Sequence, residues 1–160
     1  MSKLRKKKDD NKISLESKHD ETNCKQRKED ILLEFGCMTD NNRYSFKALK
    51  ELQKEQPNVI EQFLELIITI SKENWTTLCN RGKRTKGGFE TLNYSDIRCS
   101  IVDNYWKADG RFSGDKKLHV FRFGKGDSYR MVGYKSPNCS RAFHILAFDL
   151  DFSLYDHGDY

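Results

Sequence analysis

Apolar residues recur every three to four positions from 44 to 79 and roughly every second position from 118 to 150, so the chain predicts helices first and strands after. Phe46, Leu49 and Leu52 space a helix over 44–56, and Pro57 suits the first turn of a second helix. In that second helix Ile60, Phe63, Leu64, Ile67 and Ile68 make one broad apolar stripe, with Glu61, Gln62 and Glu65 outside it. Ser71 is the expected N-cap of a third, shorter helix carrying Trp75, Leu78 and Cys79. All these hydrophobes are assigned to the core.

From Phe89 onward the texture changes to strands. Arg98 to Trp106 mixes β-branched and aromatic residues, and Asp109-Gly110 and Ser113-Gly114 are turn signals. Leu118–Phe123, Tyr129–Tyr134 and Ala142–Leu150 follow, separated by Gly124-Lys125-Gly126-Asp127 and Ser136-Pro137-Asn138. The short gaps predict an antiparallel meander. The fold class expected is α+β, with N-terminal helices packed on one face of a curved antiparallel sheet. Strict alternation puts Leu118, Val120 and Arg122 on one side of the first meander strand, and Arg130, Val132 and Tyr134 on one side of the next. In the last strand it groups His144, Leu146 and Phe148 against Phe143, Ile145 and Ala147.

Composition narrows the classes. The 160 residues are 36% hydrophobic and 33% charged, which fits about one domain and leaves part of the chain free of a core. Residues 1–30 carry ten Lys/Arg, seven Asp/Glu and no aromatic, so they are expected to be a disordered charged tail ahead of a single α+β domain over 31–160. That tail supplies +3 of the net +5, so overall charge says little about the folded part. Apolar runs such as Leu66-Ile67-Ile68 are far below the ~20 residues of a membrane span. No signal-peptide pattern follows Lys3 and Arg5–Lys8. Cys24, Cys37, Cys79, Cys99 and Cys139 are odd in number and lack a C-x-x-C pair, which suits free thiols in the cytoplasm. His19, His119, His144 and His157 show no metal-ligand spacing, and neither a metal nor a cofactor is expected.

Three features carry candidate chemistry. Arg81, Lys83, Arg84 and Lys86 lie in a glycine-punctuated loop that suits phosphate contact or a solvated connector about equally. Arg122 and Arg130 interrupt apolar strands and require partners, since burying an unpaired guanidinium is prohibitively costly. Either Asp149 or Asp151 neutralises them, or they face a groove where a ligand phosphate completes them. The C-terminal stretch then gathers Tyr155 and His157 with carboxylates, groups able to orient, accept or donate protons.

Val120-Phe121-Arg122-Phe123, Tyr129-Arg130-Met131-Val132-Gly133-Tyr134, Phe143-His144-Ile145-Leu146-Ala147-Phe148-Asp149 and Leu154-Tyr155 together resemble the C-terminal sheet of the RelE/ParE toxin superfamily, with its "R-I-G … Y-R … I-x-I-L … Y" pattern. A second resemblance is to small uncharacterised bacterial and prophage proteins, through Tyr44-Ser45-Phe46-Lys47-Ala48-Leu49, a central Trp and the "F-H-I-L-x-x-D … L-Y-D-H-G" ending. The first implies a RelE-like fold and metal-independent endoribonuclease cleavage of mRNA, free or on the ribosome, by the RNA's own 2′-OH. It implies Arg122 and Arg130 as phosphate clamps, Tyr155 as acid or stacking platform, and His144 or His157 in proton transfer. An antitoxin protein is the further partner implied, with no membrane. Asp149-Leu150-Asp151 stands where the superfamily often has "H-R". The alternative is a non-catalytic RNA- or protein-binding accessory protein of the same fold.

Overall fold

The computed structural model of the chain describes residues 30–83, 85, 87–102 and 112–158. The expected tail apart from Asp30, the far half of the strand expected over 98–106, the Asp109-Gly110 turn, and Arg84 and Lys86 lie outside the described residues.

The described residues form an α+β structure of three helices and a five-stranded mixed sheet. Helix α1 (Phe46–Glu55) starts at Ser45, whose hydroxyl accepts the Lys47 N–H. Helix α2 (Val59–Ser71) buries Val59, Phe63, Leu66 and Ile70. The buried stripe is rotated from the one expected, and Leu64 and Ile68 are each 51% exposed. Helix α3 (Trp75–Cys79) is capped by Asn74, not Ser71: the Asn74 Oδ1 accepts the Thr77 N–H at 2.9 Å, while Ser71 closes α2. Ser and Asn are equally good caps, and the chain takes the later one because α2 runs on to bury Ile70.

The sheet order is β1-β5-β4-β3-β2, from β1 (Leu32–Glu34), β2 (Phe89–Asn93), β3 (Lys117–Phe123), β4 (Tyr129–Lys135) and β5 (Ala142–Asp149). Strands β2 to β5 are the antiparallel meander. The purely antiparallel sheet expected is corrected by β1, which pairs in parallel with β5. Three residues are too few to show a period, and the helices provide the long crossover that a parallel pair needs. The edge of the meander is Phe89–Asn93, and 97–102 forms no strand. Ile101 and Val102 are buried there as cover for the sheet, because β-branched residues follow burial as much as ladder pairing.

Each face of the sheet carries a core. The helices cover Phe121, Phe123, Met131, Phe143, Ile145 and Phe148. The loops before β1's crossover, after β2 and after β5 cover Leu118, Val120, Val132, Tyr134, Leu146 and Ala147. Strict alternation along β5 fails at one place. The register shifts between Val132 and Gly133, so Val132 stands opposite Ala147 and Gly133 opposite Ile145. This β-bulge keeps Leu146 and Ala147 on the loop side and returns Phe148 to the helix side. Gly133 allows it: a Cβ there would lie 2.2 Å from the His144 carbonyl oxygen. The bulge also places Asp149 opposite Arg130, on the face away from the helices.

His119 lies on the helix side between Trp75 and Phe89, at 5.6 and 5.3 Å between ring centroids. Burial, with help from Lys135 and Lys116, lowers its pKa to about 4, against an ordinary value near 6.5. The unfolded chain therefore takes up a proton below pH ~6.5 that the folded chain refuses until near 4. This contribution to stability is full above pH ~6.5 and is lost as the pH falls toward 4. Denaturant unfolding midpoints measured across that window should fall with pH for the wild type and fall less for His119→Phe.

Candidate active site

The chain after β5 makes a tight return. Asp149 Oδ1 accepts the Ser153 N–H at 3.0 Å, and Asp151 Oδ1 accepts the Ser153 hydroxyl at 2.5 Å. Phe152, at the apex, has φ +59°, an uncommon conformation for a non-glycine residue. The turn sends Leu154 and Tyr155 back beneath the sheet, where Arg98 N–H donates to the Leu154 carbonyl at 2.8 Å and Ile97 bridges Tyr155. Tyr155 and His157 are thereby brought to the face that carries Arg122 and Arg130.

Glu90 is the centre of that face. It pairs across β2–β3 with Val120, so it shares the side of Val120 and Arg122. Its Oε1 accepts the Tyr155 hydroxyl at 2.7 Å and lies 3.7 Å from Arg122 Nη2 and 3.8 Å from Arg130 Nε. Its Oε2 lies 2.8 Å from the Lys83 ammonium. Glu90 is 10% exposed, and Arg122 and Arg130 are 8% and 1% exposed in their side chains. Burial pushes the Glu90 carboxyl up, but the Lys83 and Tyr155 hydrogen bonds and the charges of Lys83 and Arg122 outweigh it. The group ends below the ordinary carboxylate value and is anionic. Tyr155 moves the other way: burial and then the Glu90 carboxylate hold its hydroxyl well above the ordinary range, as a neutral donor.

The two arginines are held differently. Arg130 donates from Nη1 to the carbonyls of Asp127 (2.5 Å) and Tyr129 (3.3 Å) and stacks on Phe152 at 5.1 Å. Arg122 borders a cleft of about 720 Å³ between α2 and the β3–β4 loop, which Arg81 also lines. Arg122 Nε, buried, has no hydrogen-bond partner among the described residues. His157 Nε2 lies 2.8 Å from Asp149 Oδ2, and its ring packs on Tyr155 at 4.0 Å and on Phe152 at 5.0 Å. His157 Nδ1, also buried, likewise has no partner among the described residues. A smaller cleft of about 310 Å³ opens on Lys83, Glu90 and Tyr155, with Asp96 and Asp156 at its edge.

Arg122, Arg130, Tyr155, His157 and Lys83 thus form one cluster. His144 stands apart from it, five residues earlier on β5, about 16 Å along the strand. Arg81 pairs with Glu73 at the end of the helical segment and faces the larger cleft. Of the acids offered by the sequence as arginine partners, Asp149 stands opposite Arg130 in the ladder and holds His157, while Asp151 binds Arg43 through Nε at 2.9 Å and Nη2 at 2.7 Å. The partner that sequence reasoning missed is Glu90. Its signal is an acid between Phe89 and Thr91-Leu92 in a strand-forming stretch, and its role depends on the pairing of β2 with β3.

The cluster offers an ionised carboxylate, an imidazole, a neutral phenol and three cations; Arg122 borders the larger cleft, and Lys83, Glu90 and Tyr155 line the smaller one. These are the groups of proton transfer and of anion stabilisation. No family model, curated protein or solved structure matches the chain.

Proposed function

We propose that the chain is a small RelE-like toxin, an endoribonuclease that cleaves mRNA, free or on the ribosome, by transesterification needing no metal. The observation that carries this reading is the gathering of Arg122, Arg130 and Lys83 about Glu90, with a buried Arg122 Nε and a buried His157 Nδ1 still without hydrogen-bond partners among the described residues. An RNA phosphate is the kind of group that completes such a set.

In this mechanism Glu90 takes the proton from a ribose 2′-OH. The 2′ oxygen attacks the adjacent phosphorus to form a crowded, doubly charged phosphorane, which Arg122 and Lys83 stabilise. Arg130, tied to two backbone carbonyls, positions Glu90. His157, acting as an imidazolium whose Nε2–H is held by Asp149, gives its Nδ1 proton to the departing 5′ oxygen and is left a neutral imidazole. The products are a 2′,3′-cyclic phosphate and a 5′-hydroxyl. RNA and an antitoxin protein are the partners this reading implies, in the cytoplasm. Among the described residues no helix is long and apolar enough to cross a membrane.

A second reading has a specific observation behind it. Glu90 also serves as an internal counter-ion for the arginines, and Asp96 and Asp156 place negative charge at the edge of the smaller cleft. That arrangement suits a non-catalytic accessory protein that binds RNA or protein. Induction in a growing bacterium separates the two. Wild type is expected to arrest growth and fragment transcripts, and Glu90→Gln to do neither. Growth and transcripts left intact by the wild type would end the toxin reading.

A further inference from the structure

A second cluster lies at the opposite end of β5 and is independent of the nuclease reading. Parallel pairing sets Glu34 of β1 opposite His144 of β5, so both side chains share the face away from the helices. The chain then turns back through Phe35-Gly36, with the Met38 N–H donating to the Phe35 carbonyl at 3.0 Å, and brings Cys37 beside both. Gly36 is part of this: its N–H donates to Glu34 Oε1 at 2.8 Å, and a Cβ on it would lie 2.7 Å from that same oxygen. The His144 ring stacks on its cross-strand neighbour Tyr134, at 4.6 Å and 13°, which fixes the imidazole plane.

Three different donor atoms converge. His144 Nδ1 lies 2.6 Å from Glu34 Oε2 and 3.8 Å from Cys37 Sγ, and Sγ lies 4.0 Å from the same Oε2. A tetrahedral zinc, at about 2.3 Å from sulfur and about 2.0–2.1 Å from nitrogen and oxygen, would hold sulfur about 3.5 Å from each of the other two and hold those two about 3.3 Å apart. Shifts of less than about 1 Å in the side chains therefore make the set ready to chelate. We propose that Glu34, Cys37 and His144 form a binding site for a zinc-like divalent cation, with a fourth position open to water.

The donor chemistry selects the ion. One thiolate, one imidazole and one carboxylate suit zinc, whereas magnesium and calcium take oxygen ligands. The geometry argues against a nucleophilic cysteine with a histidine relay, because the thiol and the carboxylate meet the same nitrogen and not opposite sides of the ring. The carboxylate is prepared for the role: the Gly36 N–H, and after it His144, hold Glu34 below its ordinary value despite partial burial. The open position faces a cleft of about 480 Å³ lined by Lys116, Ser136 and Asn138. On binding, the Cys37 thiol releases its proton to solvent as the metal–sulfur bond forms, and the His144 hydrogen shared with Glu34 moves through solvent from Nδ1 to Nε2; no oxidant or reductant is involved. The ion would clasp the three-residue edge strand β1 to β5.

The test uses the full, reduced chain titrated with Co²⁺ and then Zn²⁺. One equivalent of Co²⁺ should bind with release of a proton and with thiolate-to-metal charge-transfer absorption, and be displaced by Zn²⁺ with no further proton release. Cys37→Ser and His144→Gln should each weaken binding by about 100-fold or more. Cys24→Ser, Cys79→Ser, Cys99→Ser and Cys139→Ser should leave it unchanged. A readout on the wild type covers variants that fail to fold: Zn²⁺ should protect Cys37 from alkylation, resolved from the other cysteines by mass spectrometry. No stoichiometric binding, equal alkylation of Cys37 with and without Zn²⁺, or binding that depends on another cysteine would overturn the site.

Discussion

Glu90→Ala is expected to lower the folding free energy by about 3–5 kcal/mol, measured as a shift in the denaturant midpoint at constant slope. The size follows from what the carboxylate leaves behind. Arg130 is 1% exposed and Arg122 8%, and Glu90 Oε1 is near both guanidinium groups. Removing it also leaves the buried Tyr155 hydroxyl without its acceptor. Buried charges of one sign then repel each other where water is largely excluded. The effect is a property of the network, so it should not be additive. Glu90→Leu combined with Arg122→Met and Arg130→Met is expected to be less destabilised than Glu90→Ala alone, because the triple change removes the charges together.

Glu90→Gln keeps the shape of the side chain and is expected to cost about 10²–10⁴-fold in the rate of RNA cleavage, the usual contribution of a positioned general base. His157→Gln should fall in the same range, since it removes the proton donor while Asp149 and the Tyr155 ring remain in place. The pH dependence has a definite sign. A base acts when deprotonated, and Glu90 sits below the ordinary carboxylate value, so its loss of activity on acidification lies below pH ~4.3. A rate that instead falls by half near pH 6 while the chain stays folded would point to a different base.

The elements with strong periodicity were legible in the sequence. α1, α2 and strands β3 to β5 fall within a few residues of their expected bounds, because Leu49 in α1 and Phe63 in α2 mark a buried helix face and the apolar residues of Leu118–Phe123 fill the cores on both faces of the sheet. What escaped was structure made by pairing over long separations. Strand β1 exists because β5 offers it a ladder, and three residues carry no period of their own. The bulge at Leu146-Ala147 inverted the expected side of Phe148, since alternation cannot register an extra residue. The site was half legible. Arg122 and Arg130 were conspicuous as charges in apolar strands and are buried together. Their shared partner, Glu90, depends on β2 lying beside β3, and the Glu34, Cys37 and His144 cluster depends on a parallel pair between residues 110 positions apart.

The central claim is that Glu90, Arg122 and His157 cleave RNA by internal transesterification, and the chemistry of the product ends tests it most directly. Purified full-length chain is incubated with a defined single-stranded RNA in the presence of a chelator, with Glu90→Gln in parallel, and both ends of every fragment are identified. The account predicts 2′,3′-cyclic phosphate and 5′-hydroxyl ends from the wild type and intact RNA from Glu90→Gln over the same time. Fragments bearing 5′-phosphate, or equal cleavage by both proteins, would contradict it.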